Sequence, residues 1–518
     1  MNEKCHLAVD CGAESGRVMA GIWDGAKMRL EELHRFPTGV TRVGDTMRWD
    51  ITRIWGEIEW GLGLAAKRFS ESIVSVGADT WGVDYVLIDK AGELIEQPWN
   101  YRDARTRGIM EKVKERVSHE EIFAQSGVQF MEINTLYQLL AANERDPALL
   151  ASADKFLMIP DWLHFKMCGA RVGEFTNATT TQFFHPTKKQ WSVEMLQKLG
   201  IPTAMLPEVV QPGTRLGALL PGLRERTGLH AGVQVIAPAT HDTGSAVAGV
   251  PGAAIEGRGR LAYISSGTWS LLGVELHEPD LSGRAFELNL TNEGGVDGTY
   301  RLLKNIMGLW LVQECRRSFA KGGATSDYAA LVQAAEAVPA FRSIINPDDA
   351  SFLSPPDMPE AIAQFCVETD QPVPITEGEF IRCALESLAL RYSTVLNWLK
   401  EMTGSLIGAV NIVGGGSRNR LLNQFTANAC KRHVLAGPVE ATVLGNVLVQ
   451  ARACGEIGSL ADIRRVARES SEVEEIQPED DDSWNEARQR YARMNSKRYL
   501  FGTMRRRLAR HDDGRHAQ

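Results

Sequence analysis

One short design occurs twice in this chain. Asp10-Cys11-Gly12-Ala13-Glu14-Ser15-Gly16-Arg17 follows the apolar run Leu7-Ala8-Val9 and precedes another from Val18 to Trp23. Ser265-Ser266-Gly267-Thr268-Trp269-Ser270 sits in the same way between Leu261-Ala262-Tyr263-Ile264 and the run from Leu271 to Glu275. Each reads as a β-hairpin with a turn of small residues, and short or absent side chains let backbone N–H groups converge on phosphate oxygens. The two copies lie nearly half a chain apart in 518 residues, and a single core stops growing beyond about 250–300 residues. The expected plan is therefore two related halves whose hairpins face each other across a cleft and grip a polyphosphate from both sides.

Charge narrows the partner. A net charge of −8 gives no basic face for a nucleic acid, whose binding depends on neutralising phosphates with Lys and Arg. The N-terminal Met1-Asn2-Glu3-Lys4-Cys5-His6 carries no apolar leader, and no run of about 18 apolar residues occurs to span a bilayer. A cytoplasmic protein with small-molecule partners, and neither nucleic acid nor membrane among them, is expected. Its 8 cysteines form no CxxC pair, so they read as small reduced hydrophobes rather than metal ligands or disulfides, with Cys11 alone near the first turn.

Local patterns place the remaining segments. Arg53 to Phe69 carries Ile54, Ile58, Leu62 and Ala65 at helical spacing. Its Gly61-Leu62-Gly63-Leu64-Ala65-Ala66 matches a dinucleotide fingerprint only on paper, because it lies inside the helix rather than between a strand and a helix. Ile73 to Gly77 reads as a strand ending at Ala78-Asp79-Thr80-Trp81-Gly82-Val83-Asp84, and ligands sit at strand ends in α/β sheets. Gly232 to Ala237 reads as a strand leading to Thr240-His241-Asp242-Thr243-Gly244-Ser245, with Asp242 or Thr243 placed to cap a helix. Asn305 to Gln313 reads as the opening of a helix that shows both residues on one face. Arg382 to Lys400 carries a core stripe, and Ala409 to Val413 runs through Gly414-Gly415-Gly416 into a helix, where glycines serve either a close ligand approach or a tight turn. Glu472 to Asp482 is acidic and Arg505 to Gln518 basic, which predicts a solvated helix and a loose tail after residue 470.

Over roughly residues 5 to 470 the ordered strings resemble the FGGY carbohydrate kinase family. They are Asp79-Thr80-Trp81-Gly82-Val83-Asp84, Asn177-Ala178-Thr179-Thr180-Thr181, His241-Asp242-Thr243, Ser265 to Ser270, Asn292-Glu293-Gly294-Gly295, Lys304-Asn305-Ile306-Met307-Gly308-Leu309-Trp310 and Gly437-Pro438-Val439-Glu440-Ala441-Thr442. Each is weak alone; the set is specific. Thr80 to Asp84 and Lys304 to Gly308 point to the branch that acts on L-rhamnulose rather than to glycerol or xylulose kinases.

The resemblance implies an α/β protein of two actin-like (ribonuclease H-like) ATPase domains with a ligand cleft between them. Residues 1–248 would form the first, 249–470 the second, and 471–518 a C-terminal helix and tail. It implies transfer of the γ-phosphate of ATP, with Mg²⁺, onto the 1-hydroxyl of L-rhamnulose. By the same similarity Asp242 is the base; Gly82, His241, Asp242, Thr243 and Asn305 contact the sugar; Ala13, Glu14, Ser15, Gly16, Arg17, Thr268, Gln313 and Gly415 contact the nucleotide; and Asp10 is a metal partner. A carboxylate facing a triphosphate would repel it, so Glu14 is expected to turn its side chain outward. Asp242 is expected to titrate as an ordinary ionised aspartate. Other members of the class to weigh are a kinase for another ketose, L-fuculose or xylulose, and a non-catalytic sugar sensor.

Overall fold

A computed structural model of the protein describes residues 3–251, 259–323, 327–479 and 482–496. The first half builds a six-stranded sheet from β1 (Lys4–Cys11), β2 (Ser15–Trp23), β3 (Met28–Pro37), β4 (Ile73–Thr80), β5 (Thr214–Ala218) and β6 (Gln234–Ala237), in the order β5-β6-β4-β1-β2-β3. The second builds a seven-stranded sheet from β7 (Arg260–Ser266), β8 (Trp269–Leu276), β9 (Thr291–Gly294), β10 (Tyr300–Met307), β11 (Ile407–Val413), β12 (His433–Ala436) and β13 (Glu474–Ile476), in the order β9-β10-β8-β7-β11-β12-β13. In each sheet an antiparallel hairpin, β1/β2 or β7/β8, is flanked by an antiparallel strand on one side and a parallel strand on the other. The repeated string is thus the visible part of a repeated topology.

Burial of apolar faces assembles these elements. Helix α1 (Ile51–Phe69) starts where the Asp50 carboxylate accepts from Arg53 N at 3.0 Å. It buries Ile54, Ile58, Leu62 and Ala65 against the first sheet. Gly61 lies at the contact, where a Cβ would come within 2.5 Å of Val18 Cγ2, so this glycine serves helix packing. Helix α2 is short (Asp242–Ala248) and α3 runs over Trp310–Lys321. Helix α4 (Glu377–Thr403) opens with a Thr376/Glu379 capping box and buries Leu385, Leu388, Tyr392 and Leu396 in the core of the second half.

Helix α5 (Ala441–Ala453) belongs to the second half by sequence and packs on the first. Asn446 Nδ2 donates to Asp79 Oδ2 at 2.6 Å, and Gln450 Nε2 donates to Leu7 O at 3.0 Å. Helices α2 and α5 meet through glycines: a Cβ on Gly249 would lie 2.4 Å from Ala441 O, and one on Gly445 would lie 1.9 Å from Ser245 O.

The segment after residue 470 is more integrated than its charge predicts. Glu474–Ile476 closes the second sheet as β13, and the helix over 483–496 buries Trp484, Ala487 and Tyr491 in that half's core. Its apolar residues decide its fate over its surface charge. The predicted tail, Arg505 to Gln518, lies outside the described residues.

Candidate functional site

Both hairpin turns open into one cavity of about 430 Å³ between the two sheets. The turns are tighter than the sequence suggests, because Ser15, Ser265, Ser266, Trp269 and Ser270 are already in strands. Gly12 N donates to Ser15 O at 2.9 Å and Gly267 N to Trp269 O at 2.8 Å. Those two N–H groups close the turns, which leaves the tips, Ala13-Glu14 and Thr268, facing the cavity.

All the residues assigned to sugar, nucleotide or metal line this cavity except Gly16. Gly16 is buried against Phe36, whose Cε2 would lie 2.3 Å from a Cβ there; its smallness serves packing between β2 and β3. Cys11 lies below the same glycine, fully buried, with burial pushing its thiol well up. Arg17 bridges the halves: it donates to Asp10 Oδ2 from one nitrogen and to Glu440 Oε2, at the start of α5, from the other. Glu14 belongs to the cavity lining, and its carboxylate accepts from Arg317 on α3 of the other half. The second tip also seats α3, since Thr268 O accepts from Trp310 N at 3.1 Å and Gly267 O from Leu309 N at 3.0 Å.

Asn305 and Gln313 reach the cavity by a different route from the one expected. Asn305 lies in strand β10, and α3 begins at Trp310, so no shared helical face exists. The chain turns at Gly308, where a Cβ would strike Trp269 C at 2.6 Å. Gln313 Oε1 and Ser266 Oγ are buried acceptors without a hydrogen-bond partner within the protein, and such groups carry a desolvation penalty unless something satisfies them. In the glycine triplet, Gly416 lies so close to the second hairpin that a Cβ would fall 2.0 Å from Ser266 Oγ, whereas Gly415 faces open space. One turn thus holds a glycine that close packing requires and another that borders the open cavity.

Asp242 is the first residue of α2, and His241 takes the cap position that the sequence assigned to Asp242 or Thr243. The Asp242 carboxylate stays at its own turn, accepting from Thr243 N at 2.5 Å, with 31% of the side chain open to the cavity. It is not an ordinary aspartate: burial raises its pKa, His241 opposes the rise and Asp10 adds to it. Asp79, opposite Asp10 in the β1/β4 register, is fully buried and pushed well up by desolvation and by Asp10. Asp10 thus raises both of its carboxyl neighbours, and a divalent cation beside it would ease that repulsion. Among the described residues there is no group of three or more His, Cys, Asp or Glu side chains that could hold a metal ion by itself.

Among the residues assigned to the sugar, Gly82 owes its identity to crowding. A Cβ there would lie 3.2 Å from Thr180 Oγ1 and 3.3 Å from His241 Nε2. The next residue, Val83, adopts φ 68°, a strained region for a β-branched residue and typical of functional sites. Thr135 Oγ1 donates to Val83 O at 2.7 Å, and Thr180 Oγ1 accepts from Val83 N at 3.2 Å. Beneath it Asp84 accepts from Trp49 Nε1 at 2.6 Å, Trp81 Nε1 at 3.0 Å, Gln138 Nε2 at 2.9 Å and Tyr101 N at 3.2 Å. Desolvation still pushes its pKa up to about 6. This cluster fixes the Trp81 wall.

Sequence reasoning left Glu293, Glu440, Thr180, Val128, Met131, Ile133 and Asn134 without a role, though all contribute to the lining. Glu293 and Glu440 stood inside strings already singled out, which was the available signal. Val128 and Met131 follow a short helix in an irregular segment with no pattern to mark them.

Models of the FGGY family of carbohydrate kinases match residues 5–249 with the family's N-terminal domain and residues 262–454 with its C-terminal domain. A rhamnulokinase of Bacteroides thetaiotaomicron is 44% identical over 481 residues, covering 93% of this chain and 97% of the relative. A rhamnulokinase of Oceanobacillus iheyensis is 41% identical, covering 91% and 98%. Among solved structures, a gluconate kinase from Lactobacillus acidophilus superposes with a TM-score of 0.76 at 15% identity, covering 98% of this chain and 99% of that one. The chain belongs to the FGGY family of carbohydrate kinases, and its two-domain α/β fold is the ribonuclease H-like, actin-like one.

Proposed function

We propose that this member of the family transfers the γ-phosphate of ATP to the 1-hydroxyl of L-rhamnulose, giving L-rhamnulose 1-phosphate and ADP. The observation that carries the reading is the position of Asp242, a cavity-facing carboxylate at a helix start in the same cleft as both hairpin tips. Likeness to rhamnulokinases over nine-tenths of the chain supplies the acceptor.

Phosphoryl transfer through a loose transition state asks a protein mainly for positioning and charge stabilisation. Asp242 takes the acceptor hydroxyl's proton late in the step. Its raised pKa brings a carboxylate base nearer to the working pH, where Brønsted efficiency is greater. Gly82, His241, Thr243 and Asn305 hold the sugar beside it. Ala13, Glu14, Ser15 and Arg17, with Thr268, Gln313 and Gly415 from the second half, hold the nucleotide, and the unsatisfied Gln313 Oε1 suits an adenosine or ribose donor. Mg²⁺ would supply neutralisation of the phosphate charge; Asp10 fits it as one hard oxygen donor beside phosphates and water, the usual way this ion is bound. The halves, dividing near residue 248, would close on the two substrates and exclude water. We place the enzyme in the cytoplasm, where its ATP is.

Asp242→Asn tests the reading. Turnover of L-rhamnulose should fall by about 10²–10⁴-fold, with sugar affinity measured by calorimetry changed only slightly. The parent should also prefer L-rhamnulose to L-fuculose and D-xylulose in ADP release. Undiminished turnover in the variant would remove the proposed base, and a preference for another ketose would replace the acceptor.

A further inference from the structure

Glu293 is a buried carboxylate of the cleft to which the reaction above gives no task. It sits on β9, is 3% exposed and contributes to the cavity wall. Its Oε2 lies 3.1 Å from His241 Nδ1 and 3.2 Å from Arg301 Nη2. Arg301 is its direct partner in the β9/β10 register, is completely buried, donates from Nε to Gly294 O at 2.9 Å and lies 3.2 Å from the same His241 Nδ1. Asn305, four residues along β10 from Arg301, brings its side chain near enough to lower the Glu293 carboxyl. Burial alone would raise this carboxyl, yet His241, Arg301 and Asn305 together hold it below the usual range. Glu293 is therefore an ionised carboxylate lying behind the side chains assigned to the sugar and paired by charge with His241 and Arg301, while the hydrogen bond at the His241 ring is made by Arg301 and Glu293 Oε2 keeps no hydrogen-bond partner of its own.

The ring geometry gives this contact a consequence. An imidazole whose Nδ1 is engaged presents its other nitrogen in a set direction. Here Nε2 points into the cleft, 3.5 Å from Asp242 Oδ1 and 3.3 Å from the Cβ position of Gly82. Asn305 is held on its other side too, since Gln129 Oε1 accepts from Asn305 N at 2.9 Å and from Asn305 Nδ2 at 3.4 Å. We propose that Glu293 is the positioning residue of the sugar subsite, fixing the His241 ring and the Asn305 amide in the orientations that meet the acceptor's hydroxyls. The inference rests on the sugar kinase reading and deepens it. A buried ion pair with Arg301 is by itself weak evidence of a stabilising role, and a positioning role makes a different, selective prediction.

The test compares Glu293→Gln, Glu293→Asp and the paired Glu293→Gln/Arg301→Gln, in which no buried charge is left alone. Steady-state kinetics are run with L-rhamnulose and with ATP, alongside thermal unfolding and ¹⁵N NMR of the histidine-labelled full chain. In Glu293→Gln the KM for L-rhamnulose should rise about tenfold or more, the ratio carried by one hydrogen bond to a charged group. The KM for ATP should stay within about twofold, and the His241 ring signals should move. Glu293→Asp keeps its charge beside Arg301 but draws it back by one methylene, so it should fold as the parent does and still bind the sugar less well. If Glu293→Gln fails to fold, the Asp variant and the paired variant decide. A folded variant with an unchanged sugar KM, or one in which the KM values for sugar and ATP rise together, overturns the inference. A parent that leaves L-rhamnulose unphosphorylated defeats the functional reading instead; His241 signals indifferent to Glu293→Gln would then still overturn the positioning contact.

Discussion

One methyl group added at Gly445 should remove most of the enzyme's turnover and little of its stability. A Cβ at that position would lie 1.9 Å from Ser245 O, 2.7 Å from Ser245 C and 2.9 Å from Gly249 N, all backbone atoms of α2 and its end. Backbone cannot swing aside as a side chain does. A carbon to carbonyl oxygen contact is comfortable at about 3.3 Å, so α2 and α5 must part by roughly 1.4 Å at this point. Asp242 begins α2, less than one turn from Ser245, and a misplacement of about 1 Å at a reacting group costs on the order of 10²-fold in rate. Overpacking costs about 1–3 kcal/mol, while Gly to Ala in a helix interior returns up to about 1 kcal/mol. The net loss is about 0–2 kcal/mol, a few degrees of melting temperature. Gly445→Ala is assayed by coupled ADP release with L-rhamnulose and by thermal unfolding. A well-folded variant with kcat within about threefold of the parent would refute the claim that this glycine contact sets the position of the base.

Other outcomes follow from single interactions. Because burial and Asp10 raise Asp242, and the base works ionised, kcat/KM should fall on acidification at a pH above the ordinary aspartate value of 3.8; a rate flat down to that value would show an unperturbed base. Asp84 has a folded pKa of about 6 against 3.8, so its contribution to stability is full below the lower value and is lost as pH rises through the higher one. Asp84→Asn should flatten that part of the melting temperature profile, and an unaltered slope would assign it to other groups. The Glu14–Arg317 pair is half exposed, with side chains 42% and 47% open, and such pairs contribute about 0–1 kcal/mol. Arg317→Ala should leave the melting temperature unchanged and raise the KM for ATP by up to about fivefold as the freed carboxylate faces the phosphates. Glu14→Ala in the same chain should reverse that rise, and failure to reverse it would give Arg317 a direct role.

The parts of the site that were legible were those in which local pattern decides structure. The two hairpins could be located because an apolar strand, a small-residue turn and a second apolar strand are contiguous, and α1 because its stripe repeats at helical spacing. Local pattern misled at Asn305. The apolar run around it allows a helix until β8 pairs with it residue by residue from Trp269 to Leu276. It misled again after residue 470, where surface charge hid Trp484 and Tyr491, which join the core of the second half; Trp484 packs on Phe341 and Phe425, both distant in sequence.

Chemistry at short range along the chain, then, was enough to specify two hairpins with small-residue turns and a carboxylate at a helix start, because each depends on neighbours in sequence. Tertiary packing alone decided that Glu293, His241 and Asn305 touch, that Asn446 of the second half supports Asp79 of the first, and that Asp242 leans away from an ordinary pKa. Those properties arise from sheet order, from the crossing of α5 onto the first sheet and from the burial of the cleft's carboxyl groups. No contiguous segment contains any of the three.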